Sequence, residues 1–165
     1  PQATPPKLYQ PFVFWDPETI AVSAILLGLF HLLLAMPLYY MDISLPMFYL
    51  LPMCVGTVCV VAGSFGVACE RAPSRMLLKG CAYSSVGGVL GALCILCVYR
   101  PSLDALSPAS CNMTDEAHDP SDRCPKELIS DLFSGIATTL LLYNLATLVL
   151  HSLLSFSAWK GLRTN

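Results

Sequence analysis

Charged residues are missing from four long stretches of this 165-residue chain: 19–41, 43–69, 80–99 and 132–159. Only 12% of the residues are charged, whereas soluble domains carry roughly 25%. Each stretch has about the ~20 residues that an α-helix needs to cross a hydrocarbon core ~30 Å thick. The scarcity of charge therefore excludes a soluble globular protein. It predicts an all-α bundle of four membrane-spanning helices.

The breaks between the apolar stretches predict the domain boundaries. We expect an N-terminal segment over 1–19, spans over about 20–41, 46–69, 77–99 and 128–159, an extracellular loop over 101–126 and a C-terminal stub over 160–165. Proline disrupts helix interiors, so Pro37 should kink or end the first span and Arg100-Pro101 should end the third. The fourth stretch is longer than a bilayer requires, and tilt or a helical extension should absorb the excess.

Basic residues lie mostly on one side of the predicted bundle. With four spans both termini share a side, and six of the nine Lys and Arg residues fall there. These six are Lys7, Arg71, Arg75, Lys79, Lys160 and Arg163. Because Lys and Arg accumulate in short cytosolic segments, this distribution predicts cytosolic termini. We expect an integral protein of the plasma membrane.

The loop before the fourth span carries two further signs of orientation. Asn112-Met113-Thr114 fits the N-glycosylation triplet, which is modified only on the lumenal side. A disulfide between Cys111 and Cys124 would close a loop of ~14 residues and stabilise the fold by ~3 kcal/mol in the chain-entropy model. Such a bridge requires an oxidising compartment. Both signs place this loop outside the cell, although a bridge beside Asn112 would restrict access to the glycosylation machinery.

Small residues concentrate in the second and third spans. They include Gly56, Gly63, Gly66, Gly80, Ser84, Gly87, Gly88 and Gly91. In lipid, such residues let helix backbones approach closely, because packing replaces the hydrophobic effect as the driving force. We favour packing of the second span on the third, since the two form a hairpin; a homodimer seam is the alternative. Cys69 and Cys81 flank the turn of this hairpin and are candidate palmitoylation sites.

Catalytic and cofactor-binding motifs are absent from the sequence. It contains no Gly-x-Ser-x-Gly, no His-Glu-x-x-His and no glycine-rich phosphate loop. His31 and His151 lie inside spans, but no charged residue accompanies them, so we expect them to hydrogen-bond between helices rather than relay protons. Cys94-x-x-Cys97 lacks the further Cys or His residues of a zinc site.

These absences predict a non-enzymatic protein without metal or cofactor. The basic residues are too few and too scattered to bind nucleic acid. Membrane lipids and other transmembrane proteins are the expected partners.

Several motifs resemble the membrane-spanning four-domain subfamily A, the family of the B-cell four-span antigen and the beta chain of the high-affinity IgE receptor. The matching segments are 24–30 (AILLGLF), 62–71 (AGSFGVACER), 77–80 (LLKG) and 84–85 (SS). In that family a small-residue end of span two leads into a short turn, and span three opens with Leu-x-x-Gly. The cysteine pair before span four also fits, and the resemblance extends over roughly residues 20–159.

The resemblance implies a divergent member that assembles with, or modulates, a cell-surface receptor complex as a subunit or scaffold, with homo-oligomers as one form. The entry to span two departs from the family pattern, because residues 46–49 (PMFY) replace its aromatic-Pro-aromatic-Trp-Gly. An ion channel or transporter, or its auxiliary subunit, is the alternative, with Thr138, Thr139 and Asn144 as pore-lining candidates. A membrane enzyme that uses His31 or His151 is a third reading.

Overall fold

The computed structural model describes Leu8 and residues 16–40, 47–105 and 125–164. These residues form four α-helices: α1 (Pro17–Tyr40), α2 (Met47–Arg71), α3 (Arg75–Ala105) and α4 (Pro125–Thr164). Within the described ranges there is no β-strand. The predicted all-α four-helix bundle is confirmed.

The first helix begins where its sequence favours a helix start. The carbonyl of Asp16 accepts a hydrogen bond from the backbone N–H of Ile20, at 3.2 Å. Pro17 is the first helical residue, where its missing N–H costs nothing. Glu18 lies in the first turn, where the helix dipole favours a carboxylate. At the same end, Glu18 and Arg71 of α2 form an exposed ion pair at 3.6 Å.

A three-residue connection joins α2 to α3 and makes them an antiparallel hairpin. Pro73 lies in this connection, and Ser74 caps α3. The Ser74 hydroxyl accepts a hydrogen bond from the backbone N–H of Leu77 at 3.3 Å. Its carbonyl accepts the N–H of Leu78 at 3.0 Å. A serine that satisfies these first donors is the preferred N-cap of a helix.

Two helices continue past the ends that the sequence predicts. α3 does not stop at Arg100-Pro101 but runs through Pro101 to Ala105, because proline removes one backbone hydrogen bond without preventing the next turn from forming. α4 includes Lys160–Thr164, so most of the predicted C-terminal stub continues the helix. At 1.5 Å per residue the 40 residues of α4 extend about 60 Å. Pro37 does not end α1, which reaches Tyr40.

The helices pack as a ring in chain order, and α4 closes against α1. The diagonal contact between α2 and α4 is small. An aromatic cluster holds one end of the core, where the Phe48 ring lies edge-on to Tyr99 and Phe133 at centroid distances of 5.3 and 5.7 Å. The Tyr99 hydroxyl donates to the Phe48 carbonyl. This contact ties the start of α2 to α3.

Large apolar side chains cover the outside of the bundle. Leu33 on α1 and Leu142 on α4 are 64% and 63% exposed. All four helices are long and apolar enough to cross a membrane. In water, an apolar surface of this extent would cause aggregation, whereas the acyl chains of a lipid bilayer solvate it. The chain is a membrane protein with four candidate spans.

Candidate functional site

A layer of polar side chains lies buried in the middle of the bundle. His31 on α1 and Asn144 and His151 on α4 have no exposed surface, and Thr147 has 1%. Cys59 on α2 is also fully buried and completes the layer. Burial of such groups is costly unless they find hydrogen-bond partners. Their contacts therefore decide what this layer does.

The two histidines hydrogen-bond in different ways. His31 Nδ1 lies 2.8 Å from the Leu27 carbonyl oxygen one turn earlier. A carbonyl only accepts, so Nδ1 carries the proton and Nε2 is left as an acceptor. His151 Nε2 lies 3.1 Å from Cys59 Sγ. This second contact joins α4 to α2 across the bundle.

Asn144 links α4 to α3. Its side-chain nitrogen donates to the backbone carbonyl of Ala92 at 2.7 Å, and both residues are fully buried. Hydrogen bonds between helices stabilise membrane bundles by about 1 kcal/mol each. The bond forms only when Asn144 and Ala92 lie at the same height along the bundle axis, so it specifies the register of α4 against α3.

The polar layer is only partly satisfied. Its unpartnered buried atoms, among the described residues, are His31 Nε2, Asn144 Oδ1 and His151 Nδ1. The Thr147 hydroxyl lies beside the Cys59 thiol. No group of three or more His, Cys, Asp or Glu in the described ranges is arranged to hold a metal ion. No Asp or Glu belongs to the layer, so neither imidazole has a carboxylate partner within it. The bonds of His151 and Asn144 join different helices, as expected for His151. The bond of His31 lies within α1, so the expected hydrogen bond between helices does not form there.

The glycines of α2 contact α1 rather than α3. A Cβ built on Gly56 would lie 2.8 Å from the Gly28 carbonyl oxygen, and one on Gly63 would lie 2.5 Å from the Ala21 carbonyl oxygen. Gly66 also contacts Ala21. The expected packing of the second span on the third is therefore wrong for these three residues. The partner signal was present in α1, whose small residues Ala21, Ala24, Gly28 and Ala35 share one buried face.

The small residues of α3 have several different neighbours. Gly80 faces the Phe65 ring and Gly91 faces Val55, so these two do pack on α2 as expected. Gly88 faces the His151 ring on α4, where a Cβ would lie 2.8 Å from Cγ. Gly87 is exposed, and a Cβ there would meet only Val58, at 3.9 Å. The Ser84 hydroxyl donates to the Gly80 carbonyl of its own helix at 2.6 Å.

The cysteines named from the sequence lie in two kinds of environment. Cys69 and Cys81 are fully buried where α2, α3 and α4 meet, with Leu78 and Ala158 beside them. Burial keeps these thiols from an acylating enzyme, so this fold does not favour palmitoylation there. Cys111, Asn112 and Cys124 lie outside the described residues, and the predicted disulfide and glycosylation stay predictions.

One face of α2 presents small side chains to the outside of the bundle. We call it the outer α2 stripe; it consists of Cys54, Thr57, Val61 and Ser64, all exposed and spaced three, four and three residues apart. The Thr57 hydroxyl donates to the Met53 carbonyl at 2.8 Å, and the Ser64 hydroxyl donates to the Val60 carbonyl at 2.7 Å. Both hydroxyls are satisfied within the helix, so the stripe is flat without exposing unpaired polar groups.

A groove of about 880 Å³ opens on another face, between α3 and α4. We call it the α3–α4 groove. Its apolar walls include Val86, Leu90 and Phe156, and its end near the finish of α4 carries Trp159, Lys160 and Arg163. Sequence reasoning missed this groove, because it depends on which faces of α3 and α4 meet.

Comparisons of the chain with known protein families, with curated proteins and with solved structures each find no match.

Proposed function

We propose that this membrane protein is a non-enzymatic subunit or scaffold that associates laterally with other transmembrane proteins. The observation that carries the proposal is the outer α2 stripe. In lipid, helices associate through small residues that let backbones approach closely. Most glycines of α2 and α3 contact other helices inside the bundle. The outer α2 stripe and the neighbouring Gly87 remain exposed on the outer surface.

The stripe contrasts with the outward face of α1. On α1 the outward residues include Leu26, Phe30 and Leu33, which are bulky and suit lipid chains. On α2, by contrast, three of the four stripe residues are Cys, Thr or Ser. A partner helix would pack against this flat surface more closely than lipid chains do. The resemblance to the membrane-spanning four-domain subfamily A supports the same role, in a receptor complex at the cell surface with cytosolic termini.

The extracellular loop adds a second surface to the proposal. A Cys111–Cys124 bridge would hold it rigid as a recognition surface, while the outer α2 stripe would supply the lateral contact. A second copy of the chain is one partner that this arrangement allows. The channel alternative receives no specific support, because Asn144 is buried against Ala92 and Thr138 is bonded to its own helix.

Gentle detergent extraction of the tagged chain, followed by mass spectrometry of the proteins that co-purify, tests the proposal. The double variant Thr57→Leu and Ser64→Leu should lower recovery of the partner several-fold, because bulkier side chains separate the helices. Thr138→Leu is the matched control, since Thr138 is also exposed and bonded to a carbonyl four residues earlier, at 2.8 Å. Equal recovery from both variants and the parent chain would rule out this face.

A further inference from the structure

The α3–α4 groove is amphipathic along its length. At the end near the middle of the bundle its walls are apolar, with Val86 and Leu90 on α3 and Phe156 on α4. At the other end lie Trp159, Lys160 and Arg163. From Ser152, the first α4 residue of the groove, to Arg163 the helix rises about 16 Å. This length matches a large part of one lipid leaflet.

Basic residues stand at the mouth of the groove on α4. Lys160 Nζ lies over the Phe156 ring, 5.7 Å from its centroid, so the ammonium group lies where the apolar wall meets the basic end. Arg163 is exposed and follows Lys160 by three residues, which puts both on one face of the helix. The mouth is therefore cationic on its α4 side.

A lipid with a negative headgroup fits both parts of this groove. Its acyl chain would cover the apolar walls of the groove. A water-soluble anion has no apolar part and would leave these walls uncovered. The phosphate of the lipid would meet the basic residues of the mouth, which attract an anionic headgroup more strongly than an uncharged one. Trp159 lies at the junction, where tryptophan is favoured at membrane interfaces. Basic pockets between transmembrane helices are a recurrent way to bind anionic headgroups.

We propose that the α3–α4 groove binds an anionic glycerophospholipid, with one acyl chain between Val86, Leu90 and Phe156 and the phosphate at Lys160 and Arg163. This inference is separate from lateral association, because the outer α2 stripe lies on a different face. The groove would thereby couple the bundle to the anionic lipid content of the leaflet at this end.

Trp159 is a reporter inside the groove. The chain has two tryptophans, so a Trp15→Phe chain reports on Trp159 alone. We would reconstitute this full-length chain into phosphatidylcholine vesicles that contain either brominated phosphatidylserine or brominated phosphatidylcholine. Bromine quenches tryptophan on contact, and the dependence of quenching on lipid fraction measures relative affinity. A basic residue beside an anionic lipid contributes a factor of roughly five in affinity, so two predict a preference of roughly 25-fold for phosphatidylserine.

Charge removal tests the source of this preference. In the same background, Lys160→Gln with Arg163→Gln should reduce the preference to near one. The control pair Arg71→Gln with Arg100→Gln removes the same charge from α2 and from the other end of α3, and should retain it. High salt offers a test without substitution: screening between about 0.1 M and about 1 M should abolish most of the preference.

Three results would overturn the proposal. Equal quenching by the two brominated lipids would show that the groove does not select an anion. A preference that survives loss of Lys160 and Arg163 would place the headgroup elsewhere. Quenching by neither lipid would show that protein, not lipid, covers Trp159.

Discussion

Gly88 of α3 lies directly against the ring of His151 on α4, so close that a single added methyl group would overlap three ring atoms. A Cβ at this position would be 2.8 to 2.9 Å from Cγ, Cδ2 and Nδ1. The ring is also fixed on its other side, because Nε2 lies 3.1 Å from Cys59 Sγ. The glycine therefore allows a buried histidine to join three helices.

Gly88→Ala should destabilise the bundle, whereas Gly87→Ala should not. Overpacking of a well-packed core typically costs about 1–3 kcal/mol. At Gly87 a Cβ meets only Val58, at 3.9 Å, so the higher helix propensity of alanine is gained without a clash. The thermal midpoint of the purified chain in detergent checks this pair. A midpoint that falls equally in both variants would contradict the contact between Gly88 and His151.

Gly28→Ala should weaken the contact between α1 and α2. A Cβ there would lie 2.7 Å from the Gly56 carbonyl oxygen, and backbone moves less readily than a side chain. We expect a loss of about 2 kcal/mol or more. Gly135→Ala is the control, since a Cβ there has nothing within 4 Å. Unchanged thermal stability of Gly28→Ala would mean that the two helices do not approach at this point.

Asn144→Leu should cost roughly 1 kcal/mol through loss of the hydrogen bond to the Ala92 carbonyl. Leucine is similar in size, so the change tests the bond rather than the volume. Thr138→Leu, on the outer surface of the same helix, serves as the reference. If the two variants unfold at the same temperature, Asn144 does not contribute to the alignment of α3 and α4.

The loop that contains Cys111 and Cys124 should be extracellular and bridged. Mass mapping without reduction should find these two cysteines in one linked pair of peptides. An epitope inserted after Ser107 should bind antibody on intact cells, whereas one placed after Asn165 should bind only after permeabilisation. Free thiols at both positions would reject the bridge, and the reverse antibody pattern would reject the orientation.

The four helices are predictable from the sequence because the stretches without charge are long and their breaks are sharp. The positions of helix ends are harder to predict. Pro101 has no backbone N–H to donate, yet α3 continues to Ala105, because the residues after Pro101 can still form helical hydrogen bonds. Packing partners are harder still. A row of glycines on α2 indicates that another helix approaches closely, but not that the helix is α1.

The same reasoning applies to the candidate sites. The burial of His31 and His151 was predictable from their position in apolar stretches without charged companions. Their contacts were not, because Cys59 and His151 are 92 residues apart in the chain. The outer α2 stripe and the α3–α4 groove likewise depend on which helix faces are left uncovered once the bundle has formed.

The most direct test of lateral association is photo-crosslinking from the outer α2 stripe in living cells. A photoreactive phenylalanine analogue at Val61, which is 42% exposed, is compared with the same analogue at Leu33 on α1, which is 64% exposed. We predict a discrete protein adduct from Val61 and none from Leu33. Adducts from both positions, or from neither, would contradict the assignment of the outer α2 stripe as the surface that binds a partner.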